Sequence, residues 1–180
     1  MLSNEVDVYP TLLRKSCLPE KLQVINPGFV RPGIVQVCEN IATFDGVIVL
    51  SGLKRGKTTN AAAILLSYLN SRRYIVDTNN VGLYISVNQL CYQNRTQDRF
   101  HRDEGVQNMV SMATKAKCLV LDGLFSYLTQ NDDLMLQAIY DARQNTHGIT
   151  VVTTPMTDPL NCAGSIMYRI ARDAVIKEEF

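Results

Sequence analysis

Ser51-Gly52-Leu53-Lys54-Arg55-Gly56-Lys57-Thr58-Thr59 stands between an apolar run, Gly46–Leu50 (GVIVL), and a segment, Lys57–Asn70, that puts Ala62, Leu65, Leu66 and Leu69 on one helical face. A buried strand, a glycine-containing turn and a helix start in this order let consecutive backbone N–H groups face a phosphate. Gly56 allows close approach of the backbone, and the helix N-terminus adds its dipole. The pattern GxxxxGK[ST] has Ser51 where its first glycine belongs, unless Gly52 takes that role in a loop one residue shorter. The bland alternative is a solvated basic loop that binds nothing, and Lys54 and Arg55 fit that reading as well as a phosphate-facing one.

Under the phosphate-loop reading, ATP and Mg²⁺ are the expected cofactors, and Ser51, Gly52, Leu53, Lys54, Arg55, Gly56, Lys57, Thr58 and Thr59 form the nucleotide cradle. Lys57 is expected to reach the β- and γ-phosphates and Thr58 to ligate Mg²⁺ through its hydroxyl. A second magnesium-orienting group comes from Cys118–Asp122 (CLVLD), an apolar run ending in an acid. Asp122 would act through the metal's water shell, although an ordinary Asp-Gly strand-end turn reads the same. Many nucleotide hydrolases place another acid directly after this aspartate to activate water. Here that residue is Gly123, so binding is better supported than hydrolysis, and a base would have to come from elsewhere in the chain, for example Asp98, Asp103 or Glu104.

Outward from this pair the chain alternates strand-like and helix-period segments, as a parallel α/β sheet does. Leu83–Val87 (LYISV) is expected as a strand followed by a short helix through Leu90, and Gly105–Lys115 as a helix carrying Val106, Met109, Val110 and Ala113. Asp132–Gln144 is expected as a helix ended by His147-Gly148, Ile149–Thr153 as a strand, and Ala174–Lys177 as a short last strand. Before Gly46, the prolines and glycines at Pro10, Pro19, Pro27-Gly28 and Pro32-Gly33 break residues 1–33 into short pieces. Ile34–Phe44 could then hold one helix. The expected organisation is an N-terminal arm or adapter over 1–45 and a phosphate-loop domain over 46–180.

Composition narrows the class. With 180 residues and 46% hydrophobic content, one domain with a sizeable core is expected, and disorder is excluded. Lys+Arg at 18 against Asp+Glu at 17 leaves a formal charge of +1, so no global field draws the chain to nucleic acid or an anionic membrane. The longest apolar run, Ala61–Leu66, is far short of the roughly 20 residues that span a bilayer. No membrane partner is expected. The first residues lack a signal-peptide shape, so a cytoplasmic location is expected, in a bacterial cell or a phage-infected host. Five cysteines without a CxxC and two histidines point to reduced, mostly buried thiols rather than a zinc site or disulfides.

Taken in order, the phosphate loop, LYISVNQL, CLVLDG, GITVVTTP and SIMYRI resemble the AAA+ helicase-loader family, the DnaC/DnaI/IstB-like group of bacteria and their phages, in a minimal form. The resemblance runs from Gly46 to the C-terminus. It implies a P-loop NTPase fold of AAA+ type: a three-layer α/β sandwich with a central five-stranded, mainly parallel sheet, here without a C-terminal lid domain. It also implies that Thr153 or Thr154 stands at the γ-phosphate sensor position and that Arg169 reaches the nucleotide of a neighbouring copy. An arginine suits that task through its planar, permanent charge; a plain surface arginine is the alternative. Three departures bear on hydrolysis: Gly123, Pro155 in place of the sensor asparagine, and no arginine after the last expected strand, Ala174–Lys177.

The same resemblance implies a replicative DNA helicase and single-stranded DNA as partners, with self-association through an ATP-bridged interface. Segment 1–33 is the candidate for the helicase contact, or simply a packing arm. Arg95, Arg99, His101 and Arg102 beside Tyr92 and Phe100 could pair a DNA backbone and stack bases, although Asp98, Asp103 and Glu104 also fit a solvated loop. Two rival readings remain: a P-loop kinase acting on a small acceptor, and a non-hydrolysing scaffold.

Overall fold

The computed structural model describes residues 7–75, 77–96, 104–125, 127–145, 147–162 and 165–180. Five strands, β1 (Gly46–Ser51), β2 (Gly82–Ser86), β3 (Cys118–Asp122), β4 (Ile149–Thr153) and β5 (Ile176–Glu179), form one sheet in the order β2-β3-β4-β1-β5. Every adjacent pair is parallel. A parallel sheet is covered on both faces, which is why β1, β3 and β4 read as near-continuous apolar runs. Val47 and Val49 of β1 turn to one core, Ile48 and Leu50 to the other.

Seven helices among the described residues cover these two faces: α1 (Tyr9–Lys15), α2 (Pro32–Glu39), α3 (Lys57–Ser71), α4 (Val87–Thr96), α5 (Glu104–Lys115), α6 (Gln130–Gln144) and α7 (Ile166–Asp173). Helices α1, α2 and α3 pack on the Ile48 side and α4 to α7 on the Val49 side. The result is the expected three-layer α/β sandwich. No described helix is long and apolar enough to cross a membrane.

The N-terminal region is built of short pieces, as its prolines and glycines imply, but two of these pieces are α-helices with a proline in the first turn. Pro10 sits in the first turn of α1 and Pro32 opens α2. Proline is favoured there because its missing N–H would have no intrahelical partner. Leu12, Leu18, Ile34, Val37 and Ile41 are buried in the same core as α3, and the Ser67 hydroxyl of α3 donates to the Cys38 carbonyl at 2.9 Å. Helix α2 ends at Glu39, short of Phe44. Helix α4 runs to Thr96, well past Leu90, and β5 lies two residues later than expected.

Helix α6 starts earlier than the apolar pattern alone implies because Thr129 caps it reciprocally with Asp132. Asp132 has no solvent exposure, yet its carboxylate accepts from the Thr129 hydroxyl at 2.6 Å, Arg95 Nε at 2.7 Å and Asn94 at 3.2 Å. Burial raises its pKa, and the hydrogen bonds from Thr129, Arg95 and Asn94 more than reverse that, so the group ionises below its ordinary value. Asp132→Ala is expected to cost about 2–3 kcal/mol of stability, combining a lost cap with a broken, partly exposed ion pair; urea unfolding at pH 7 measures it.

Candidate functional site

The parallel register brings the C-terminal ends of β1, β3 and β4 to one edge, with Leu50 opposite Thr153 and Asp122 closing β3. In open α/β sheets this edge is where ligands bind. The chain leaves β1 at Ser51, turns through Gly52 at φ +102° and reaches Gly56 at φ +111°, which caps α3 in the left-handed region. Both turns suit glycine, and it is Gly52 rather than Ser51 that takes the first. The Gly52 N–H donates to the Met156 carbonyl at 2.8 Å, and the Lys54 N–H to the Phe180 carbonyl at 3.2 Å. Leu53, Lys54 and Arg55 are exposed at the loop's tip.

The Lys57 ammonium lies inside this arc, donating to the carbonyls of Gly52 and Lys54 at 2.6 Å each. Partial burial lowers its pKa, and the Asp122 charge acts the other way. The first amides of α3 have no intrahelical acceptors, so the loop, the ammonium and the helix start together present positive potential to an anion.

Asp122 gathers the other side of the site. Its Oδ1 accepts from the Thr58 hydroxyl at 2.9 Å and the Thr153 hydroxyl at 2.6 Å, and its Oδ2 from the Tyr84 phenol at 2.6 Å. Burial and the neighbouring carboxylate push the Tyr84 phenol well above its ordinary pKa. Thr58, donating its proton to Asp122, keeps its lone pairs for a cation. A hydroxyl and a carboxylate side by side are hard oxygen donors of the kind Mg²⁺ takes alongside phosphate oxygens and water. No cluster of three or more His, Cys, Asp or Glu occurs among the described residues, so a metal here would rest on this pair and its ligand's phosphates.

The two sensor-position threonines part company. Thr153 donates to Asp122 and accepts from the Gly123 N–H at 2.8 Å, so it belongs to the site. Thr154 is fully buried, its N–H bound to the Leu50 carbonyl and its hydroxyl accepting from the Met156 N–H at 3.2 Å. Gly123 has φ +81°, a backbone conformation that side-chain-bearing residues rarely adopt, so the missing second acid goes with the turn itself. Arg169 lies on α7, across the sheet from α3, where it pairs with Asp141 at 2.5 Å and faces the Tyr140 ring.

Arg95 is held by Asp132, while Tyr92 beside it on α4 is two-thirds exposed. Asp98, Arg99, Phe100, His101, Arg102 and Asp103 fall outside the described residues.

Asn60, which the motif reading passed over, ties the segment 29–31 to the loop. Fully buried on α3, it accepts from the Arg31 N–H at 2.8 Å and donates to the carbonyls of Phe29 at 3.1 Å and Gly56 at 2.9 Å. Arg31 stacks on the Phe180 ring at 4.1 Å and donates to the Glu179 carbonyl at 2.6 Å. A groove of about 580 Å³ opens beside Thr58 and Asp122, walled by Tyr84, Ser86, Gln89, Gln93 and Lys21. A separate cavity of about 470 Å³, lined by Asp45, Tyr68, Arg72, Lys117 and His147, opens at the opposite end of the strands, away from the phosphate loop.

At the level of sequence, no family model and no curated protein matches this chain. Solved structures do match in fold. A DnaI crystal structure superposes with a TM-score of 0.69 at 20% identity, over 91% of this chain and 94% of the DnaI chain in that structure. Domain III of the Thermotoga maritima replication initiation protein DnaA gives a TM-score of 0.64 at 11% identity, over 87% of this chain and 68% of that one. The replication initiator DnaA bound to AMPPCP and single-stranded DNA gives 0.60 at 16% identity, over 87% of this chain, which spans 50% of that DnaA. The likeness is one of fold: the five-stranded parallel α/β sandwich of this chain superposes on DnaI over most of both chains, as the resemblance implied.

Proposed function

We propose that this chain, an AAA+ domain of DnaI-like fold, binds ATP with Mg²⁺ and uses it to join copies of itself while placing a replicative DNA helicase on single-stranded DNA. The observation that carries the reading is the convergence of Lys57, Thr58, Asp122 and Thr153 at the C-terminal sheet edge, in a fold that 91% of this chain shares with the DnaI crystal structure. The DnaA structure bound to AMPPCP and single-stranded DNA supports the same pair of ligands for this fold.

In this reading the loop amides and Lys57 hold the phosphate tail, and Thr58 and Asp122 hold the metal. ATP bound with Mg²⁺ supplies a transferable phosphoryl group whose charge the metal partly neutralises. Thr153 fixes Asp122 from the β4 side and is itself fixed by the Gly123 N–H. The positive φ of Gly123 leaves no acid next to Asp122, which favours nucleotide acting chiefly as an assembly switch with slow turnover. That feature equally favours the scaffold reading, in which turnover is absent.

Calorimetry with ATP and Mg²⁺ tests the site, and ATP turnover with and without helicase and single-stranded DNA tests the role. Uptake with turnover raised by the two partners supports the loader. Uptake with no turnover under any condition supports the scaffold, and turnover that needs a small acceptor supports a kinase. Arg169→Ala is expected to leave ATP binding by the isolated chain unchanged while lowering turnover of the assembled form at least tenfold, as loss of a phosphate-facing arginine does. Equal turnover in the assembled state removes the trans role of Arg169.

A further inference from the structure

The side chain that fixes the second oxygen of Asp122 comes from β2, an edge strand of the sheet, and lies outside both the phosphate loop and the strand that ends in Asp122. Ser86 is the register partner of Asp122 and Tyr84 that of Val120, two residues earlier, so the period-two pleat puts Tyr84 on the same face as the carboxylate. Tyr84 as a whole is 8% exposed, and its hydroxyl reaches Oδ2 at 2.6 Å. Its backbone is held as well: the Tyr84 N–H donates to the Ser16 carbonyl, just past α1, at 2.7 Å.

These contacts divide the carboxylate. Oδ1 takes two hydroxyls, one of them on the candidate metal ligand Thr58, and Oδ2 takes the phenol alone among the described contacts. A carboxylate held at one oxygen can rotate about its Cβ–Cγ bond. Held at both, it keeps Oδ1 on the Thr58 side, where a cation shared with Thr58 and phosphate oxygens would sit.

We propose that Tyr84 is a positioning residue for Mg²⁺: its phenol locks Asp122 so that the carboxylate and the Thr58 hydroxyl present a preformed pair of oxygen donors to the metal–nucleotide complex. This rests on the nucleotide-site reading above and adds to it a residue outside the loop. Groups that orient a metal's carboxylate typically change metal affinity by about 10- to 100-fold when removed. Because its backbone hangs on Ser16, the device also links the metal site to the segment that follows α1.

Tyr84→Phe removes the hydroxyl and keeps the ring that fills the core. Mn²⁺ affinity of the protein–ATP complex, followed by electron paramagnetic resonance, is expected to fall about tenfold. ATP affinity measured by calorimetry in EDTA is expected to stay as in the wild type. Unchanged Mn²⁺ affinity overturns the positioning role, and so does an equal loss of ATP affinity with and without metal, which would mark a packing defect. A wild type that takes up no ATP in either condition overturns the nucleotide site itself, so the two failures are told apart.

Discussion

Lys57→Ala is expected to weaken ATP binding by about 100-fold, with little change in the stability of the nucleotide-free chain. The ammonium sits within the turn, bonded to the carbonyls of Gly52 and Lys54, where incoming phosphate oxygens would be charge-matched to it at short range. Removing one member of a close, partly desolvated charge pair costs about 2–5 kcal/mol of binding, and every 1.4 kcal/mol is tenfold. The direction of its pKa shift separates binding from folding. A lysine whose folded pKa lies below its unfolded value binds its proton less readily when folded. At neutral pH its charge therefore opposes folding slightly, and stability rises only as pH climbs through the window between the two values.

Alanine relieves that opposition and forfeits two hydrogen bonds to backbone carbonyls. These effects offset each other to within about 1 kcal/mol. Calorimetry with ATP and Mg²⁺, paired with urea unfolding of both proteins, checks the two halves. A variant that binds ATP like the wild type removes the phosphate-loop assignment, whatever its stability. Lys57→Arg sharpens the test, because it keeps the charge but replaces a compact ammonium by a wide, planar fork. Its failure to restore binding would show that the turn selects by shape as well as by charge.

How much of this was legible in the residues depends on how local the determining interaction is. Strands β3 and β4 fall on the residues that the apolar runs mark, and β1 is one residue longer, since burial on both faces leaves an uninterrupted signature. The link of Thr58 to Asp122 follows from two motifs whose relative placement the α/β alternation already implies. Helix α1 was hidden because Pro10 reads as a breaker unless its place in the first turn is known. Helix α4 was cut short because, after Cys91, its residues are polar and half-exposed or more, so no buried stripe continues.

Tyr84, Asn60 and Arg31 were illegible for a different reason. Each acts through a partner 29 to 38 positions away, across neighbouring strands or between a loop and a helix. Period-two alternation puts Tyr84 and Ser86 on one face of β2, but only the strand order sets that face beside Asp122. The choice between Thr153 and Thr154 is of the same kind. Alternation sends the two to opposite sides, and the position of Asp122 on the neighbouring strand decides which of them meets it.

Gly52→Ala is expected to cost about 3 kcal/mol of stability and to take ATP binding below detection. Two independent obstacles add at this residue. Its φ of +102° is strained for any residue with a side chain, at about 1–3 kcal/mol. A methyl group there would also run into the carbonyl oxygen of Phe180. That oxygen is backbone and already accepts the Lys54 N–H, while the Phe180 N–H donates to the Ser51 carbonyl at 2.8 Å, so it cannot swing away as a side-chain tip would. Either the end of β5 lifts off the loop or the loop gives up its turn. Both displace the Gly52 carbonyl that holds Lys57.

Gly123→Ala provides the contrast. Its φ of +81° is strained too, but a methyl group there meets only the Phe125 ring at 3.6 Å, an ordinary contact. It should cost about 1–2 kcal/mol and leave ATP affinity within a few-fold of the wild type. Urea unfolding and calorimetry on both variants read the difference. If Gly52→Ala behaved like Gly123→Ala, the packing of Phe180 against the phosphate loop could not be what holds that loop in its turn.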